Sequence, residues 1–490
     1  MTTSLNNAAH RATKIILLLA SLFVLATFAG CSSGGSGDDR QAGIEGTGIV
    51  SGFGSVYIEG MEFETDDATI LFVGEEVPES KLSVGDRVAV TGTLDADGRA
   101  HADRIVYLRT LDGPIESIET DGERGSLVAL GQRVYFDGNT TFVNTPADEL
   151  AAGDLIAVSG FTRPSNRVYA ESIRQSETDF VPNNSTLEIE GPIDTIAGTR
   201  LTIGDQVIDF ANADIRPSRA ALTPGSRIEA FGSRDASRTD PLIASRINVQ
   251  SLNEAPEGQQ ILVGAEIRDY EDLSDFVAGG WRIDAQEAER QGDVTTALAP
   301  GVRVSVRGVF KNGRVRARTL WVEPRANGML QAPADAIDSN ADTLTLFGRT
   351  IHVSAQTGYT DNSATNDRTL RMSTLSPGDT LRVPLYMDHG KTVARRIVRV
   401  PDSEADDAAV AGHVTDTTRN GANATLVVAG VNTQLADDTT TYYDADGTTI
   451  DAQTFFTRVD AGARVRLVGP QNGAQISVVR SARILLDQTN

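Results

Sequence analysis

Along most of this chain apolar residues alternate with polar ones in short runs, the period of a strand with one buried face. Val88-Ala89-Val90 and Val304-Ser305-Val306 are two such runs. Six of them begin just after the same signature: a Leu or Val, two residues, then Gly. The glycines are Gly85, Gly153, Gly225, Gly301, Gly378 and Gly462, spaced 68, 72, 76, 77 and 84 residues apart. A tight turn follows each run, at Asp97-Gly98, Ser165-Asn166, residues 235–237, Asn312-Gly313, His389-Gly390 and Asn472-Gly473. Asn-Gly and Asp-Gly suit hairpin turns because both central positions need positive φ. A returning strand closes on Ile105, Ile173, Ile247, Leu320, Ile397 and Ile484, which lie 20, 20, 22, 19, 19 and 22 residues past the glycine. Such near-constant spacing marks a repeated unit.

Upstream, each unit carries a second hairpin turning at Gly60, Gly131, Gly204, Gly280, Gly348 or Gly430. Between the hairpins lies a polar stretch with room for one helical turn, such as residues 145–150. About five strands per unit, with a helix or loop between the third and fourth, predict an all-β chain: a tandem array of small five-stranded OB-like barrels, or alternatively of two-sheet sandwiches. The predicted boundaries are 44–110, 111–178, 187–251, 260–325, 328–401 and 408–488, with linkers at 176–186, 252–259, 324–328 and 402–408. The pattern leaves open whether the units form a rigid rod or a flexible string.

The N-terminus departs from this pattern. Arg11 and Lys14 precede an apolar run, Ile15 to Ala26, that is short for a membrane span and ends in small residues. It reads as a secretory signal peptide over residues 1–30. Phe28-Ala29-Gly30-Cys31 resembles a bacterial lipobox, with Phe28 where Leu is usual. Cys31, the only cysteine in the chain, is then the lipid attachment site and the new N-terminus. Residues 31–43, rich in Gly and Ser, form a flexible tether. Ser32 stands where many lipoproteins kept in the inner membrane have Asp, so the resemblance favours the outer membrane. No second cysteine remains for a disulfide, so the barrels must be held by core burial alone.

Net charge is −23, and −25 once Arg11 and Lys14 are removed with the signal peptide. A chain so acidic repels nucleic acid, which is not an expected partner. No Gly-x-Ser-x-Gly elbow is present. His101, His352, His389 and His413 fall in different units or in turns, so no triad or transition-metal set is expected, and no cofactor. Asp95–Gly98 and Asp444–Gly447 lack the third Asp and terminal Glu of a calcium loop and read as turns, Asp437 and Asp438 being near the second. Gly390-Lys391-Thr392 lacks the leading glycine of a phosphate loop, Leu385 standing there, and a strand follows instead of a helix. In unit four, Arg303, Arg307, Lys311, Arg314, Arg316 and Arg318 alternate with core valines across one hairpin and are expected to share an outer face. That face is either solvated and neutralised by nearby acids or an anion-binding site. Tyr442, Tyr443, Phe455 and Phe456 in unit six are either core or a stacking surface for sugar rings.

The first unit contains Ser51-Gly52-Phe53-Gly54-Ser55-Val56-Tyr57-Ile58-Glu59-Gly60, followed by Leu82-Ser83-Val84-Gly85-Asp86 and the closing strand. Over residues 44–108 this resembles the bacterial "domain of unknown function 5666" family. Units two to six keep the glycine-strand-hairpin part but lack the Gly-Phe-Gly start. The resemblance implies OB-like barrels in tandem on an exported lipoprotein, and no catalytic residue. The expected function is non-catalytic: a lipid-anchored envelope protein acting as a binding, spacer or scaffold module for an envelope partner. The alternative is binding of carbohydrate or an anionic envelope polymer through barrel faces of the later units.

Overall fold

The computed structural model describes residues 42–120, 124–163, 167–293, 295–324 and 327–485. The signal segment, Cys31 and the Ser165-Asn166 turn lie outside the described residues.

Unit one shows how the sequence pattern closes into a barrel. Its first strand, Ala42–Gly52, is long enough to have two neighbours. Residues 42–49 pair antiparallel with the fourth strand, Arg87–Leu94, and residues 50–52 pair with the second, Val56–Ile58. The second strand hairpins into the third, Met61–Glu64, which runs parallel to the fifth, Ala100–Leu108. The fifth returns antiparallel to the fourth. The circular order is therefore 1-2-3-5-4-1, that of an OB-like barrel, and the same pairings close the other five units. Between third and fourth strands sits the anticipated turn, a 3-10 turn at Glu79–Lys81, Arg219–Ala221 and Met372–Thr374, and a true helix, Ala452–Arg458, in unit six.

The repeated signature has one structural role in all six units. Each loop glycine takes a φ between 86° and 101°, which L side chains rarely adopt. In that geometry its N–H donates at 2.8–2.9 Å to a first-strand or adjoining carbonyl, from Gly85 to Val50, Gly153 to Ile115, Gly225 to Ile193, Gly301 to Ile267, Gly378 to Ala334 and Gly462 to Val414. The loop is thereby pinned across the barrel end just before the fourth strand begins.

The barrels are not strung out one by one. The first half of each first strand has one edge on its own fourth strand and leaves the other edge unpaired within the barrel, which costs free energy if it is buried without partners. A neighbouring barrel's first strand fills it. Unit one joins unit four in parallel, Ile44 opposite Gln260 through Thr47 opposite Val263. Unit two joins unit three antiparallel at Leu111–Ile189 and Asp112–Glu188. Unit five joins unit six antiparallel, Gly328 opposite Gly412 through Gln331 opposite Ala409. The cores follow: one apolar cluster runs through units two and three, another through units five and six, and Leu262 of unit four is buried in the core of unit one. The linker at 252–259 is also tied down, Asn253 N–H donating to the Gly280 carbonyl at 2.8 Å and Gly258 N–H to the Phe310 carbonyl at 3.0 Å.

Candidate functional site

Charged side chains collect where the barrels meet. Four arginines stand two residues after a loop glycine, at the head of a fourth strand: Arg87, Arg227, Arg303 and Arg464. Three of them reach a glutamate buried in a barrel junction. Arg303 of unit four pairs with Glu59 of unit one at 2.5 Å, and Arg87 of unit one with Glu190 of unit three, which also takes Arg227 at 3.3 Å. Glu59 sits in a left-handed turn position, φ 48°, and also accepts the Ile49 N–H at 2.9 Å. From Arg303 the network runs on to Glu323 at 3.8 Å, then to Arg395 of unit five at 2.6 Å and Glu171 of unit two at 3.4 Å. Four barrels thus share one chain of charges.

Two further links are built the same way. Asp86 of unit one accepts from Arg174 and Ser172 of unit two at 2.9 and 2.8 Å. Arg234 of unit three donates to Glu116 of unit two at 2.7 Å. The Gly-Phe-Gly start of unit one is explained here as well. Arg368 of unit five lies 4.1 Å from the centre of the Phe53 ring, Arg371 lies over Tyr57 and donates to the Phe53 carbonyl. A Cβ on Gly54 would meet Arg371 at 2.5 Å.

The electrostatics follow from burial against pairing. Burial pushes the Glu59 carboxyl up, against the pull of Arg303 and the Ile49 N–H. Burial also works to raise Glu190, but Arg87 and Arg227 outweigh it and hold Glu190 at about 2. Glu266 has less compensation: burial pushes it up to about 7 despite Arg163 at 2.9 Å. Removing one partner of a buried pair costs about 3–5 kcal/mol, against about 0–1 kcal/mol for an exposed pair such as Lys81–Glu177. The buried pairs therefore dictate which barrel faces which.

The arginine hairpin of unit four is not one open face. Val304 and Val306 do point into the core, but the outer side of their strand is covered by unit one, so Arg303 and Arg307 are enclosed, Arg307 donating to the Glu59 carbonyl at 3.0 Å. On the exposed part of the hairpin Arg314 donates to the Ser274 carbonyl at 3.0 Å and Arg316 pairs with Asp284, while Lys311 and Arg318 are exposed. The six cations are split between a junction and a surface because alternation reports which side faces the barrel core and says nothing of a second barrel on the other side.

The aromatic group of unit six is core. Tyr442 and Phe455 are buried and pack with Phe456, the helix Ala452–Arg458 plugging the barrel, while Tyr443 is half-buried beside them. The histidines are dispersed: His101 lies near Glu64 and Asp95, His389 contacts Asp388 in its turn, His413 contacts the Gly462 carbonyl, and His352 is half-buried on a third strand. Asp95 and Asp444 accept backbone N–H groups of their own turns, and Asp444 also pairs with Arg458. No group of three or more His, Cys, Asp or Glu is placed to hold a metal among the described residues.

Sequence reading missed the junction arginines as a set. Their signal, an Arg two residues after the loop glycine in four of six units, was legible once the repeat was aligned on that glycine. Their partners were not, since Glu59 and Arg303 lie 244 residues apart.

A family model described as "Domain of unknown function (DUF5666)" matches residues 46–106, 112–174 and 331–398, which are units one, two and five. A solved structure titled "drosophila Unr CSD456" is similar over 47% of this chain and 96% of that one, at 11% identity and a TM-score of 0.18. No curated protein matches. The chain is an all-β tandem array of OB-like barrels, of which units one, two and five match the DUF5666 family model.

Proposed function

We propose that this chain is a lipid-anchored protein of a bacterial envelope, on the outer membrane, whose six barrels act together as a non-catalytic scaffold that binds an envelope protein. The observation that carries this reading is the use of buried charge. Side chains that would be reactive in an open cleft, Glu59, Glu190, Arg303 and Arg395 among them, are spent on holding barrel to barrel. A body locked in this way presents fixed surfaces on a tether. The anchor rests on the lipobox-like Phe28-Ala29-Gly30-Cys31. The strand faces and loops of OB-type barrels also serve as binding surfaces.

The test is crosslinking in intact cells, with purification of the lipidated chain and mass identification of what accompanies it, beside a Cys31→Ala variant. The expected result is one reproducible protein partner whose crosslinks fall on a contiguous surface, with release of Cys31→Ala from the membrane fraction. Membrane association unchanged in Cys31→Ala removes the anchor. A turnover that persists through purification and maps to one barrel removes the non-catalytic role.

A further inference from the structure

We propose that the outer face of the second hairpin of unit six binds an uncharged glycan. The two strands of this hairpin, Asn423–Val428 and Val431–Ala436, have six residues each, where those of the other units have three to five. The first strand, Ala408–Asn420, runs beside them to the end. Register sets the face out in rows. Thr418, Thr425 and Gln434 lie opposite one another across strands one to three, and Asn420, Asn423 and Ala436 lie two rows further from the turn, on the same side. Between these rows Ala424 and Leu435 point into the core. Arg419 is turned to that other side too, paired with Asp437 at 3.1 Å and lying 4.4 Å from the centre of the Phe456 ring. Ser477 and Val478 follow the short strand Gln475–Ile476, which pairs with strand three, and they close the side of a depression of about 270 Å³.

Three observations point to a neutral, hydroxyl-rich ligand. First, no residue lining the depression is charged, although 23% of the chain is. An anionic polymer would meet no cation here, on a chain of net charge −23, and a cation would meet no carboxylate within the depression, Asp416 standing on the row beyond it. Second, the lining is free to bind. Among the described residues the side chains of Thr418, Asn420, Asn423, Thr425, Gln434 and Ser477 have no hydrogen-bond partner. Each offers both a donor and an acceptor, which is what neighbouring sugar hydroxyls require, since they give and take hydrogen bonds together. Val478, 43% exposed, adds an apolar surface for the C–H face of a ring. Third, the equivalent row is charged elsewhere. The fourth pair from the hairpin turn belongs to Glu119–Ser126–Tyr135 in unit two, Ala197–Arg200–Asp209 in unit three and Asp338–Thr343–His352 in unit five. A merely solvated face in this chain carries ionisable groups; unit six has Thr418–Thr425–Gln434 there.

The full mature chain is titrated calorimetrically with maltohexaose, cellohexaose and the hexamer of N-acetylglucosamine, and with hexagalacturonate as the anionic counterpart. Gln434→Ala and Asn423→Ala are compared with Thr350→Ala, an exposed change on the same hairpin of unit five. Thermal midpoints check folding. Expected are saturable binding of at least one neutral hexamer, none of hexagalacturonate, a loss of about three- to tenfold in each unit-six variant, and no change in Thr350→Ala. The proposal falls if no neutral hexamer binds, if hexagalacturonate binds as tightly, or if both unit-six variants bind like the parent. Should one of them lower the midpoint, the other decides. Sedimentation velocity is run beside the titrations: a dimer of the parent that Gln434→Ala dissolves gives the face to a second copy and overturns the glycan. A scaffold for a protein partner needs no glycan, so failure here leaves the proposed function standing.

Discussion

At the scale of single residues, the decisive groups are carboxylates and guanidinium groups hidden between barrels. Sequence alternation placed the charges of each strand opposite its core residues, and that much holds for Arg303 and Arg307. It did not reveal that their side of the strand is buried as well, because the covering residue Glu59 comes from another unit. Glu266 gives the clearest pH signature. Its carboxyl is pushed up to about 7 by burial, above the ordinary value of 4.5. A folded-state value above the unfolded one means stability present below pH ~4.5 and lost as pH rises through ~7. Glu266→Gln removes that loss. We expect its thermal midpoint to match the parent near pH 4.5 and to exceed it at pH 8, the gain reaching up to about 3 kcal/mol. A midpoint difference that is the same at both pH values would show that Glu266 is not ionised at the junction's expense.

At the scale of elements, strands, hairpin turns and loop glycines were legible because period-two alternation and turn chemistry are local. A second glycine in five of the six fourth strands escaped the sequence pattern, though it recurs seven residues after the loop glycine, at Gly92, Gly160, Gly232, Gly308 and Gly469. In the first four units the register shifts at this point, a bulge that lets the strand bend around the barrel. The fifth strand's backbone comes so close there that no side chain fits: a Cβ on Gly308 would lie 2.3 Å from the Arg316 carbonyl oxygen. Gly308→Ala should therefore destabilise unit four by about 1–3 kcal/mol, seen as a lower thermal midpoint. Unit five has Leu385 at this position, after Pro384, and its fifth strand breaks into Lys391–Ala394 and Arg396–Arg399. The break frees Arg395 to donate its N–H to the Pro384 carbonyl at 2.9 Å and to send its side chain to Glu323 and Glu171.

At the scale of the whole molecule, the number of barrels was legible and their arrangement was not. Repeat spacing counts units, whereas strand pairing between units one and four skips two of them and leaves no local trace. The arrangement makes a test possible. Deleting residues 260–324 from a string of separate barrels would remove one unit and leave the others as they were. Here the deletion strips the first strand of unit one of its neighbour, removes Leu262 from that unit's core and takes Arg303 away from Glu59. We expect calorimetry of the deleted chain to show unit one melting earlier and apart from the rest. An unchanged transition for unit one would mean that the junction contributes nothing to its stability.

The first-strand joints also bear on abundance. Two separate proteins that met through the same edges would come apart on dilution, since their association depends on how many copies are present. Within one chain the partner edge is supplied at an effective concentration set by the connecting segments and is independent of copy number. A molecule present in few copies can then complete all three joints as soon as it folds.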